Sequence, residues 1–220
     1  MVNQIAPSPI ERDVHQWSLK TSSRLTGYFL PNFVPPLAII AALNEARVRF
    51  VLIGSHGLGG WLQEPRASQD VDFLVTTRDY LKSIRTLLAE YPRLEADREN
   101  GMTRLRDTAS HDVAVNLLAP NQEWLRAALR HTHTVQFEGI IYRIPSLEMA
   151  LVLKFAAMTR RPWTEAQKYQ DMHDFMCIAL ANRAFNAKKL STLGDLVYPG
   201  GGVEIVEKVR QVRAGEKLQL

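Results

Sequence analysis

The chain has 220 residues, 46% of them hydrophobic, 23% charged and 8% aromatic, a composition that excludes a disordered or low-complexity chain and describes a soluble globular protein. Its 27 lysines and arginines against 23 acids give a formal charge of +4, which permits an anionic partner without demanding one. The single cysteine, Cys177, excludes an intrachain disulfide and fits an inert thiol in a reducing, cytoplasmic setting.

Residues 1–30 show no sustained period, carry Pro7 and Pro9 and lead into Pro31, Pro35 and Pro36, so an N-terminal arm is expected there. No basic segment followed by an apolar run opens the chain, and the most apolar later stretch, LEMALVLKFAAM, is interrupted by Lys154. Neither secretion nor a membrane span is expected. From Pro36 the pattern LAIIAALNEA reads as a helix with proline in its first turn, and RFVLIGS as a short buried strand. A short helix at GLGGWLQ, a polar loop EPRASQ, a strand DVDFLVT and an amphipathic helix RDYLKSIRTLLAEY follow. Two more strands are predicted at MTRLRD and HDVAVNLL, then a helix over QEWLRAALR and a hairpin, HTVQF and IIYRI, about Glu138 and Gly139. Beyond Pro145 the chain reads almost entirely helical. The predicted architecture is α/β: a small mixed sheet flanked by helices over 31–145, then a helical C-terminal part over 146–220.

Within DVDFLV the strand period places Asp70, Asp72 and Leu74 on one face and Val71, Phe73 and Val75 on the other. Two neighbouring carboxylates repel unless a cation lies between them, and carboxylate oxygens together with substrate phosphates are what Mg²⁺ accepts. A polar strand end leaving a loop would show the same pattern. Upstream, RFVLIGS ends in Gly54 and Ser55 and turns into GLGGW, where bare amides and a hydroxyl can approach a phosphate.

This order of features resembles the nucleotidyltransferase fold of the DNA polymerase beta superfamily, whose signature is an apolar strand ending in Gly-Ser, a loop, and alternating carboxylates on the next strand. FVLIGS followed by RASQDVDFLV matches it, with a slightly longer gap than usual between Ser55 and Asp70. Arg66, Ser68, Asp70 and Asp72 are most similar to the minimal and AbiEii-type nucleotidyltransferases, many of which are toxins of toxin-antitoxin pairs. A second block, KFAAMTRRPWTEAQKYQD, resembles the lysine-then-aspartate motif of the same group. Lys154 there emerges from an apolar helix face and needs an anion or a route to solvent. The next helix opens with the capping box TEAQ and carries an apolar stripe of Tyr169, Met172, Phe175, Met176 and Ala179. Asp171 and Asp174 share one face of it; a solvated rim with Lys168 paired to Asp171 is the other reading.

The resemblance implies Mg²⁺-dependent transfer of a nucleotidyl group from a nucleoside triphosphate to an acceptor hydroxyl. It assigns Asp70 and Asp72 to the metal and Gly54, Ser55, Arg66, Ser68 and Lys154 to the nucleotide. Asp171 would orient Lys154 or a nucleophile, and His56, Asn116 and Asp174 are further candidates. It also implies tRNA or a protein as acceptor, and an antitoxin as partner; Arg160 and Arg161 are compatible with RNA. The chain departs from the superfamily where a third carboxylate is usual: VAVNLL offers Asn116, whose amide can give a metal an oxygen but cannot take a proton. Asp112 lies on the same face, but four residues or roughly 13 Å along the strand, too far to substitute directly for that carboxylate without a register shift. A small-molecule nucleotidyltransferase of the antibiotic-modifying kind and a non-catalytic nucleotide- or partner-binding domain therefore stand as alternatives. His131 and His133 are two apart at a helix-to-strand junction and read as turn chemistry rather than a zinc site. Trp61, Trp124 and Trp163 read as core or junction residues.

Overall fold

The computed structural model describes residues 35–62, 68–99, 101–159 and 164–218. The expected arm over residues 1–30, and Arg66, Arg160, Arg161 and Trp163, lie outside them. A helix α1 (Pro36–Glu45) leads to strand β1 (Phe50–Ile53), helix α2 (Gly54–Leu62), strand β2 (Val71–Val75) and helix α3 (Tyr80–Glu90). Three strands follow, β3 (Leu94–Glu99), β4 (Met102–Asp107) and β5 (Val113–Leu118), then helix α4 (Glu123–Ala128) and the pair β6 (Thr132–Phe137) and β7 (Ile140–Pro145). The chain closes with α5 (Leu147–Met158), α6 (Glu165–Ala181), α7 (Ala187–Gly194) and α8 (Gly201–Arg213).

The main sheet has the order β1-β2-β5-β4-β3, and β6 pairs with β7 in a second sheet. Only β2 and β5 run parallel; the other pairs of the main sheet are antiparallel. Alternation along β2 divides the core as its period requires. Val71, Phe73 and Val75 pack with Ile39, Leu43, Ile84 and Leu87 of α1 and α3. Leu74, with Val51 and Ile53, packs on the opposite face against Leu58, Met149, Leu151 and Phe155. Phe50 and Phe73 meet edge to face, ring centres 5.2 Å apart and planes at 86°. Helix α5 is buried on nearly every side, as an apolar helix without a polar face must be. Among the described residues no helix is long and apolar enough to cross a membrane.

Two expectations need correction. Strand β3, LEADRE, was not predicted, because its exposed, charged residues show no alternation. It is the edge strand, paired to β4 from Leu94 opposite Asp107 to Glu99 opposite Met102, and charge on an edge opposes pairing with another chain. Of the stripe expected on helix α6, Phe175 and Ala179 are buried and Met172 and Met176 pack against the core, but Tyr169 is 56% exposed and Asp174 and Ile178 join the inward face. The capping box is present, with Thr164 accepting from the Gln167 amide, and Glu138 and Gly139 form the hairpin turn with φ of 49° and 80°, the left-handed pair that a two-residue turn needs. Cys177 is half-buried, its sulfur 3.8 Å from the His173 ring nitrogens.

Candidate active site

Helix α2 starts at Gly54 itself, directly after the strand and three residues before the helix expected at GLGGWLQ. Gly54 has φ of 62°, and a Cβ built there would lie 1.9 Å from Asp72 Oδ2. Only glycine combines that backbone conformation with that approach. One turn further, a Cβ at Gly57 would meet the Leu52 carbonyl oxygen at 2.1 Å, so the helix lies against its own strand. The N-terminus of α2 is thereby fixed beside a carboxylate of β2, in keeping with the pairing of Ile53 opposite Asp72. Ser55, in the first turn, is 7% exposed, and its hydroxyl has no hydrogen-bond partner among the described residues. A buried orphan hydroxyl at a helix N-terminus costs free energy unless a ligand answers it, and an anion suits that end of a helix.

Strand β5 supplies the next residue. Asn116 lies opposite Asp72 in the parallel register, and its Nδ2 donates to Asp70 Oδ2 at 2.7 Å and to Asp72 Oδ1 at 2.9 Å. Both N–H groups of one amide are thus spent on holding two like charges together. Ser68 donates to the other oxygen of Asp70 at 3.0 Å. Asn116 is 8% exposed, and its own carbonyl oxygen has no partner among the described residues. Two carboxylates beside an orphan amide oxygen form a hard oxygen donor set of the kind Mg²⁺ takes when phosphates and water complete its shell. Among the described residues no group of three His, Cys, Asp or Glu side chains gathers, so this is not a closed all-protein cage.

The face continues onto β4, where Arg104 lies opposite Asn116 and is ion-paired to Glu99. Arg106 reaches Asp97 Oδ2 at 3.4 Å and donates to the His111 carbonyl at 3.2 Å. A cleft of about 530 Å³ opens here, with Ser68, Gln69 and Asp70 on one side and Arg106, His111 and Asp112 on the other. Sequence reasoning passed over Arg104, Arg106 and His111. The alternation in MTRLRD was the signal for the two arginines, since residues two apart on a strand share a face.

Lys154, expected at the phosphates, has two protein anions: its ammonium lies 2.8 Å from Asp171 Oδ1 and 2.7 Å from Asp174 Oδ2. Gln170 donates to Asp174 Oδ1 at 3.2 Å. Burial pushes the lysine pKa down, but the Asp174 and Asp171 carboxylates outweigh it and hold it above the ordinary value. The solvated rim is therefore not what forms, and Lys168 instead lies 3.8 Å from Glu165. Helix α2, which starts at the carboxylate pair, packs on both helices that carry this cluster, α5 and α6. His56, one residue past Ser55, is 2% exposed and belongs to the interior. Trp61 is also buried, its Nε1 donating to the Pro145 carbonyl at 3.1 Å, with the His133 ring 5.7 Å from its own.

A family profile described as nucleotidyl transferase AbiEii toxin, type IV TA system, matches residues 37–203. No curated protein matches the chain significantly. Among solved structures, an antigenic nucleotidyltransferase-like protein from Paracoccidioides brasiliensis is 16% identical, with 74% of this chain and 75% of that chain covered and a TM-score of 0.46. JHP933 from Helicobacter pylori is 14% identical over 96% of this chain and 94% of that chain, with a TM-score of 0.47. Terminal uridylyl transferase 4 from Trypanosoma brucei with bound GTP is 12% identical over 94% of this chain and 71% of that chain, with a TM-score of 0.33.

Proposed function

The chain belongs to the AbiEii nucleotidyl transferase toxin family of type IV toxin-antitoxin systems, and on that premise we propose that it moves a nucleotidyl group from a nucleoside triphosphate to an acceptor hydroxyl in a Mg²⁺-dependent reaction. The observation that carries this reading is the close approach of Gly54 to Asp72, which sets an anion-accepting helix N-terminus against a carboxylate pair. Asp70 and Asp72 would hold Mg²⁺, and the chemistry it supplies when bound is neutralisation of the charge that grows on the departing pyrophosphate. The Ser55 hydroxyl and the first amides of α2 bind the triphosphate. Ser68 orients Asp70, and Arg66, two residues before it, is assigned to the phosphates. Lys154, Asp171 and Asp174 keep α5 and α6 in place against α2, acting on the reaction by position.

The acceptor we propose is tRNA or a protein, and the partner an antitoxin. A second reading, a domain that binds the nucleotide without transferring it, is favoured by one observation: an amide lies opposite Asp72 where a third carboxylate would supply a base. Incubation with each nucleoside triphosphate labelled at the α-phosphate, Mg²⁺ and total cellular RNA separates the readings. Label on an RNA or protein band is expected. Mg²⁺-dependent nucleotide binding with no labelled band would support the second reading, and the absence of both would overturn the first and the second together.

A further inference from the structure

We infer that Asp112 is the general base that takes the proton of the acceptor hydroxyl; the inference rests on the transfer reaction proposed above. The sheet order fixes the sides of the site. Strand β2, which carries Asp72 and is directly preceded by Asp70, lies between β1, which feeds the N-terminus of α2, and β5 with β4, which border the cleft. Displacement at the α-phosphorus is in line, with the leaving pyrophosphate and the incoming oxygen on opposite sides. With the triphosphate at α2, the hydroxyl enters from the β5 and β4 side.

That side needs a proton acceptor. Asn116 cannot be one, because an amide does not take a proton and both its N–H groups are engaged. Asp70 and Asp72 are assigned to the metal. Among the described residues, the remaining carboxylate lining the cleft is Asp112. The parallel register begins with Val71 opposite Val115, Asp70 directly precedes β2 and Asp112 directly precedes β5, so the two carboxylates stand at the same end of adjacent parallel strands and line one cleft.

The turn before β5 is built to hold Asp112 there. The Asp107 carboxylate accepts from the amides of Ala109 at 2.9 Å and Ser110 at 3.2 Å. The Asp107 amide donates to the Asp112 carbonyl at 2.9 Å, and the Asp112 amide donates to Ser110 Oγ at 3.3 Å. His111 is held at φ of 62°, an uncommon conformation for a residue with a side chain. The charged groups facing Asp112 are Asp70 just before β2, Arg106 from β4 and His111 from the turn itself. The imidazole is drawn the other way, its Nδ1 4.0 Å from Glu95 on the far edge strand, and Arg106 is engaged with Asp97 and the His111 carbonyl.

In the step, the acceptor O–H bond breaks and its proton passes to the Asp112 carboxylate. The oxygen's electron pair forms the bond to the α-phosphorus, and the bond from that phosphorus to the bridging oxygen breaks. Its electrons leave on pyrophosphate.

The test compares the parent, Asp112→Asn and Asp112→Glu, using α-labelled nucleoside triphosphate, Mg²⁺ and total RNA between pH 6.5 and 9, with triphosphate affinity by calorimetry and melting temperature measured in parallel. Asp112→Asn is expected to keep the parent's affinity and melting temperature and to transfer about 10² to 10⁴ times more slowly at pH 7. Its rate should climb about tenfold per pH unit as hydroxide replaces the lost base, whereas the parent's stays flat. Asp112→Glu should restore the flat profile. An Asp112→Asn protein that transfers at the parent's rate, or that slows while keeping the flat profile, overturns the assignment alone. A parent that labels nothing overturns the proposed function and the assignment with it.

Discussion

Asn116 is the residue on which the site turns. The register of β5 beside β2 sets it against the two aspartates, bonded to both. Its amide answers the repulsion of the pair when no cation does, and its orphan oxygen leaves an acceptor beside them. Asn116→Asp replaces two charge-assisted hydrogen bonds with a third repelling carboxylate, which should lower stability by about 2 to 3 kcal/mol at neutral pH. Mg²⁺ should then raise the variant's melting temperature more than the parent's. A melting temperature indifferent to Mg²⁺ would show that the cluster does not hold the ion. The glycine at 54 makes a related point: its place after a strand was legible in the sequence, but the reason for it, the Asp72 carboxylate where a Cβ would lie, needed the three-dimensional pairing.

At the scale of elements, two charged ties fix how helices meet their neighbours. Lys154 on α5 is clasped by Asp171 and Asp174 on α6. Lys154→Met would leave the buried Asp174 and the half-buried Asp171 without a counter-ion, so a loss of about 3 kcal/mol is expected in urea unfolding, and the further changes Asp171→Leu and Asp174→Leu should recover most of it. An unchanged midpoint for the single variant would mean that the clasp contributes nothing. Asp79, just before α3, accepts from the Arg49 side chain at 2.9 Å, the Arg49 amide at 3.1 Å and Thr76 at 2.9 Å. The Arg49 guanidinium foremost, with Thr76 and that amide outweighing burial, holds its pKa down to about 2. A carboxyl with a lowered folded pKa contributes stability above its unfolded value of about 4 and loses it as pH falls towards the folded one. Parent and Asp79→Asn should therefore differ by roughly 1 to 2 kcal/mol at neutral pH, a modest figure because Arg49 is largely exposed, and converge between pH 4 and 2 in acid unfolding curves. The sequence disclosed α3, the hairpin and the capping box of α6, because period, turn residues and caps are local. It hid β3, whose charges mask a strand that only its partner stabilises, and it hid the burial of Asp174 on α6, an acid that a polarity rule assigns to solvent and that Lys154 recruits inward.

Across the whole molecule, the sheet order does what no single segment can: it sets a helix N-terminus and an open cleft on opposite sides of one carboxylate pair. The order of Gly-Ser strand, loop and paired aspartates carried the fold and the family match over residues 37–203. Arg106 and the cleft wall did not show, because they come from β4 and the turn before β5, brought to β2 only by long-range pairing. The central claim is that Asp70 and Asp72 bind a triphosphate through a divalent cation at the N-terminus of α2. Calorimetric titration of each nucleoside triphosphate into the parent and into Asp72→Asn, with Mg²⁺ and then with a chelator, tests it most directly. Binding of at least one triphosphate to the parent in Mg²⁺ alone, and to the variant in neither condition, is the predicted result; equal binding in the chelator, or undiminished binding by Asp72→Asn, would contradict it.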